Sequence, residues 1–228
     1  VAGSPSARVA VAGATGLVGR ALLARLAVDA RVGPVTALVR RPGGLPAAVQ
    51  PLVVDWTRPG LDATLPSIDW AFCALGTTIK VAGSQAAFRA VDVDAVLAFA
   101  AAARAAGANR FGLVSAMGAD ARSSVFYNRC KGEVEQALTA QDWPRLVIAR
   151  PSLLLGERTA LGQPQRPAEA LAQRLMPAVG WLIPKALRPI SADAVATALA
   201  EAVAAPGEPL QILPSDALQA LAECSLKR

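Results

Sequence analysis

Val9-Ala10-Val11-Ala12-Gly13-Ala14-Thr15-Gly16-Leu17-Val18-Gly19 decides how this chain folds. An apolar run of small and β-branched residues ends in three glycines spaced three apart, and a helix-compatible segment, 20–30, follows at once. That is the pattern of a buried parallel strand turning sharply into a helix. The helix N-terminus offers free backbone N–H groups and the positive end of its dipole, so a pyrophosphate can sit there. Gly13 suits the tight turn, Gly16 a close approach of backbone to phosphate, and Gly19 close packing of helix on strand. Gly13, Ala14, Thr15, Gly16, Leu17, Val18 and Gly19 are therefore candidate dinucleotide contacts. A lone glycine triplet could be a plain strand–helix turn; the strand before it and the helix after it make the nucleotide reading the stronger one.

Working outward, Val35-Thr36-Ala37-Leu38-Val39 reads as a second buried strand and ends in Arg40-Arg41. About 20 residues past the glycines, a carboxylate would bind the free 2′-hydroxyl of NAD. Two guanidinium groups stand there instead and could clamp a 2′-phosphate, which favours NADP, with NAD as the alternative. They could also be solvated arginines opening the Pro42-Gly43-Gly44 turn. Asp55, ending the short strand 52–55, could accept from an adenine amino group or cap the next turn. A fourth strand, 68–75, runs through Leu75 into Gly76-Thr77-Thr78. Ligands in open parallel sheets bind beyond the carboxyl ends of strands, so Leu75, Gly76 and Thr77 belong at the cofactor edge. Residues 84–106 read as one long alanine-rich helix capped by Ser84 and Gly107, with Asp92 and Asp94 on a solvated edge. The succession predicts an α/β fold: a Rossmann-like doubly wound parallel sheet of order 3-2-1-4-5-6. Residues 210–213 are a candidate seventh strand, and a small C-terminal cap follows.

The chemistry gathers around the fifth and sixth strands. Ser115 ends Phe111-Gly112-Leu113-Val114-Ser115, and Tyr127 and Lys131 open the next helix one turn apart, on one face. A free phenol, with a pKa near ~10, is a poor base at neutral pH, and a nearby ammonium favours its phenolate. Tyr127 could thus pass a proton to or from a substrate oxygen as hydride moves, with Ser115 holding that oxygen. Tyr-x-x-x-Lys can also be an ordinary helix-surface pair.

Composition narrows the rest. The chain has 228 residues, 54% hydrophobic and 18% charged, which supports a large core and argues against disorder. The net charge of +6 comes from arginines scattered along the chain, and aromatics are only 4%, so a nucleic-acid binder with a basic stripe and stacking platforms is disfavoured. There is no histidine, which excludes histidine triads and ligands and leaves acid–base work to Tyr, Lys, Asp, Glu or Cys. Three widely spaced cysteines suggest neither a disulfide framework nor a metal site. Residues 1–8 lack an apolar signal core, and no apolar stretch reaches the ~18 residues of a span, so a cytoplasmic protein without stable membrane insertion is expected.

The glycine loop, Ser115 and the Tyr127/Lys131 pair resemble the short-chain dehydrogenase/reductase superfamily. Phe72-Cys73-Ala74-Leu75-Gly76-Thr77-Thr78, Val114-Ser115-Ala116-Met117-Gly118-Ala119-Asp120 and Lys131-Gly132-Glu133-Val134-Glu135 look most like its atypical members. These are the Tat-interacting oxidoreductase-like group and bacterial nucleoside-diphosphate-sugar-epimerase-like proteins. The resemblance covers residues 8–156. It implies a nicotinamide-binding Rossmann fold, NADPH as cofactor, and Ser115, Tyr127 and Lys131 as the catalytic set, with Lys131 also holding the ribose. Arg150-Pro151 is similar to the Arg-Pro pair of extended members, where the next loop lines the nicotinamide, so Pro151 joins the cofactor contacts.

The expected whole is one domain, 1–228, with 156–189 as a small substrate or lid insertion. Its apolar part, 175–184, could cover the pocket, meet a second subunit, touch a membrane surface or simply pack. The leading functional expectation is an NADP-dependent oxidoreductase or epimerase acting on an unidentified carbonyl, alcohol or nucleotide-sugar. A non-catalytic NADP(H)-sensing protein is the alternative. Two long helices with exposed faces could pair a homodimer across a dyad.

Overall fold

The computed structural model describes residues 6–56, 64–155, 184 and 187–225. Nine strands are described: β1 Ala7–Ala12, β2 Val32–Val39, β3 Val49–Val53, β4 Trp70–Cys73, β5 Arg110–Val114, β6 Arg145–Arg150, β7 Leu154–Leu155, β8 Ile190–Ser191 and β9 Leu210–Pro214. The described helices are α1 Leu17–Ala27, α2 Ile79–Ala82, α3 Gln85–Arg89, α4 Ala95–Ala105, α5 Phe126–Thr139, α6 Ala192–Ala204 and α7 Ser215–Ser225. Seven strands form one parallel sheet in the order β3-β2-β1-β4-β5-β6-β9. The expected order is found, and 210–213 does supply a seventh strand, paired to β6. β7 and β8 make a separate two-stranded ribbon.

The central strands are apolar along their whole length because helices cover both faces. Val9, Ala10, Val11 and Ala12 are all fully buried. Val9 and Val11 point to one layer, with Leu22 and Leu26 of α1 and Val195, Leu199 and Val203 of α6. Ala10 and Ala12 point to the other, with Phe88, Val96, Phe99, Phe111, Val134 and Leu138. Each fully buried aliphatic or aromatic side chain contributes about 1.5–3 kcal/mol, so both layers are well secured. The C-terminal elements are built into this framework: α6 lies on α1 and the sheet, β9 extends the sheet, and α7 packs on α6.

Two sequence expectations need correction. Residues 84–106 are not one regular helix. Ser84 caps α3 as expected, its Oγ accepting from the Ala87 N–H at 3.1 Å, but a wide π turn, Ala90–Asp94, separates α3 from α4. Nor does Asp92 lie on a solvated edge: it is 1% exposed, whereas Asp94 does face solvent. Most of 156–189, including the apolar stretch 175–183, lies outside the described residues.

Candidate functional site

Strand order reverses between β2 and β4 around β1, so the carboxyl ends of β1 and β4 open a crevice at the switch point. The glycine turn builds one wall of it. Gly13 has φ +78°, a conformation that side chains rarely adopt, and a Cβ there would fall 2.4 Å from the backbone of Ala74. A Cβ on Gly19 would sit 2.0 Å from the Gly13 carbonyl oxygen, which fixes how closely α1 approaches the turn. Gly16 caps α1 with backbone alone, its N–H donating to Gly13 O at 3.0 Å, and no acidic side chain occupies the first turn. The helix therefore presents its N-terminal amides and positive dipole end without a capping side chain, and this cradle fits a diphosphate. Thr15 is exposed and Leu17 half-buried at its rim, while Ala14 and Val18 are buried behind it.

Arg40 and Arg41 follow the end of β2 and are exposed. The Val54 N–H donates to Val39 O at 2.9 Å, which sets Asp55, also exposed, beside that strand end. All three residues thus lie on the carboxyl edge of the sheet.

The second wall comes from the loop after β4 and from α5. The α5 face that carries Tyr127 and Lys131 turns inward, with Lys131 only 5% exposed and Tyr127 half-buried against Phe88, ring centroids 5.8 Å apart. Lys131 Nζ lies 2.7 Å from Asp92 Oδ1. The other Asp92 oxygen accepts the Thr77 N–H at 2.8 Å, so one carboxylate joins the lysine to the loop. A Cβ on Gly76 would lie 3.5 Å from Asp92 Oδ1 and 3.8 Å from Lys131 Nζ, so the Gly76 backbone lies directly beside the ion pair. Burial alone would push the Lys131 ammonium down, but the charges of Asp92 and Tyr127 and the contact with Asp92 outweigh it and hold the lysine above its usual value. Burial pushes the neighbouring Cys73 thiol up to about 12, so it stays neutral.

Ser115 is placed with different partners. It is buried, and its hydroxyl donates to Glu135 Oε1 at 2.5 Å. Glu135 lies one turn further along α5 than Lys131 and is held by Arg150, whose Nε donates to both carboxylate oxygens at 3.1 Å. Pro151 is buried beyond the end of β6, and its carbonyl accepts the Met117 N–H at 2.9 Å. The structure thus gathers Tyr127, Lys131 and Gly76, and gives Ser115 to a neighbouring brace.

Asp92 and Glu135 are the site residues that sequence reasoning missed. A signal for Asp92 was present: it falls at helical spacing from Phe88, Val96 and Phe99, all buried, so its face had to be the inner one.

A doubly wound α/β sheet with a side-chain-free corner at its switch point defines a dinucleotide-binding protein. The chain belongs to the NAD(P)H-binding family, which it matches over residues 13–171. It is 36% identical over 184 residues to Protein fmp52, mitochondrial, of Emericella nidulans, covering 76% of each chain. It is 37% identical over 173 residues to Protein HTATIP2 of Rattus norvegicus, covering 73% of this chain and 69% of that one. Among solved structures, MoeE5 in complex with UDP-glucose and NAD superposes with a TM-score of 0.66 at 19% identity, over 90% of this chain and 75% of that one. A UDP-galactose 4-epimerase gives 0.67 at 16%, over 90% and 76%. These two likenesses show the fold.

The relatives correct one expectation. Several fungal ones are named mitochondrial, which points away from a cytoplasmic location. The cytoplasmic expectation rested on a missing apolar signal core, and mitochondrial targeting segments are amphipathic and arginine-rich, so that test does not bear on them.

Proposed function

We propose that this chain is an NADP(H)-dependent oxidoreductase or epimerase-like enzyme of the short-chain dehydrogenase/reductase type, with Tyr127 as its acid/base. The observation that carries this reading is the continuity of the two walls. Gly13 abuts Ala74, two residues before Gly76, and Gly76 faces Lys131, one helical turn from Tyr127. A dinucleotide with its diphosphate at Gly16 would therefore direct its nicotinamide end toward the phenol.

When bound, the reduced nicotinamide supplies hydride to a carbonyl carbon. Tyr127 passes its proton to the carbonyl oxygen, and the phenolate left behind takes a proton from solvent. Lys131 steadies that phenolate and offers its ammonium to the ribose, while Arg40 and Arg41 favour a 2′-phosphate. General acid–base help of this kind is worth ~10²–10⁴ in rate. Single-turnover NADPH oxidation with a panel of carbonyl compounds tests the reading. Tyr127→Phe should lose about 10²-fold or more in rate while binding NADPH as the wild type does. Equal rates for the two proteins would refute the assignment.

A second reading, an NADP(H) sensor that turns nothing over, draws support from the internal engagement of Lys131 by Asp92 and of Ser115 by Glu135. It predicts NADPH binding with no carbonyl reduced by either protein.

A further inference from the structure

Four large apolar side chains stand exposed around Tyr127. Ile79 and Val81 of α2, Met117 in the loop after β5 and Val125 at the start of α5 each leave between 40% and 71% of their surface to solvent. One such side chain alone is ordinary on a protein surface. These four come from three separate segments that meet at one phenol. Asp92 holds the Thr77 amide, and Thr78 then caps α2, its Oγ accepting the Val81 N–H at 3.2 Å, so Ile79 and Val81 follow directly from the loop beside Lys131. Val125 caps α5 two residues before Tyr127. The Met117 loop lies on the same helix start, since the Asp120 N–H donates to Asn128 O at 3.1 Å and a Cβ on Gly118 would lie 3.0 Å from Asn128 Nδ2. With the Met117 N–H donating to Pro151 O, the backbone is fixed on both sides of Met117. Phe126 and Tyr127 are themselves half-buried against Phe88, with ring centroids 5.6 and 5.8 Å away.

The same rim offers little to an anionic substrate. The diphosphate of a nucleotide-sugar calls for guanidinium or ammonium groups free to bind it. Among the described residues, Lys131 is paired with Asp92, Arg150 with Glu135 and Arg89 with Glu133. Arg129 donates to the Ser123 carbonyl and lies over the Phe126 ring. Arg122 extends into solvent with the Asp120 carboxylate 3.8 Å away, and Lys80 faces solvent from α2. Apolar surface thus outweighs free charge where a substrate must meet the phenol.

We propose that the substrate is an apolar carbonyl compound, an aldehyde or ketone carrying an alkyl chain, and that Met117 and Val125 are the residues that select it. This rests on Tyr127 being the acid/base and deepens that reading: the reacting carbonyl lies at the phenol, and the chain runs over Met117 and Val125, withdrawing their apolar surface and its own from water. It separates this site from that of MoeE5, whose complex holds UDP-glucose.

Calorimetry on the protein with NADP⁺ bound tests this apart from any chemistry, because the oxidised cofactor has no hydride to give a ketone. Across 2-butanone, 2-hexanone and 2-octanone, the dissociation constant should fall about fourfold for each added methylene that the site buries. Met117→Glu and Val125→Glu, both at exposed positions, should each flatten that series by setting a carboxylate in the path of the chain. If one variant does not fold, the other decides. UDP-glucose should bind more weakly than 2-octanone.

A dissociation constant independent of chain length, a series left as steep by both variants, or UDP-glucose binding more tightly than 2-octanone would overturn the proposal. Retention on phosphatidylcholine vesicles that Val81→Glu abolishes, with no dependence on chain length, would make the rim a membrane contact and overturn it too. The expected series in a protein that reduces no carbonyl would sustain the apolar site and defeat the enzymatic reading alone. Reduction that depends on Tyr127, without the series, would do the reverse.

Discussion

The crevice has two walls made in opposite ways. The first, where β1 turns into α1, works by leaving side chains out: Gly13, Gly16 and Gly19 let backbone meet backbone and expose the amides at the helix start. The second, where α5 meets the π turn, works by burying charge: Lys131 and Asp92 face one another in the interior and reach the loop after β4 through the Thr77 amide. The first wall tolerates no added atom at Gly13 or Gly19. The second tolerates no missing partner, because a buried ion left alone costs several kcal/mol. Binding needs a fixed shape, whereas proton transfer needs a tuned field, and on the proposed function the two walls would divide these needs between them.

The sharpest break in this contrast is Gly19→Ala. The new Cβ would sit 2.0 Å from the Gly13 carbonyl oxygen, so α1 must move off the turn. A loss of about 3 kcal/mol is expected, which is roughly a 10 °C fall in Tm for a chain of this size, with NADPH binding lost as well. A thermal melt and a fluorescence titration check both. An unchanged melt would mean that the turn yields easily and that the first wall is not defined by shape.

A gentler test separates recognition from architecture. Arg40 and Arg41 are exposed beyond β2. Replacing both with alanine should weaken NADPH binding roughly tenfold through lost charge-assisted hydrogen bonds, leave NADH binding as it was, and move Tm little. Equal losses for the two cofactors would remove the basis for an NADP preference.

The two walls were unequally legible in the sequence. The glycine turn is local: eleven consecutive residues hold the strand, the corner and the helix start, and each glycine has a steric reason to be there. The strand order followed from the same logic, since continuous apolar runs separated by helices leave few arrangements. The Lys131–Asp92 pair joins residues 39 positions apart, and the aspartate sits in a helical stretch where the sequence reads as a solvated edge. Ser115 shows the same limit. Its place at the end of β5 was legible, but its donation to Glu135 depends on how deeply α5 packs across the sheet. Residue types and spacing reveal which groups are available, while the depth of packing decides which of them meet.

Crystals soaked with NADP⁺ would test most directly whether the two walls serve one ligand. Density should place the pyrophosphate against the amides of Gly16 and Leu17, with the nicotinamide ribose within hydrogen-bond reach of Lys131 and the ring beside Tyr127. A dinucleotide bound at the glycine turn with its nicotinamide directed away from α5, or bound at another surface, would contradict a shared crevice and the proton-donor role of Tyr127 with it.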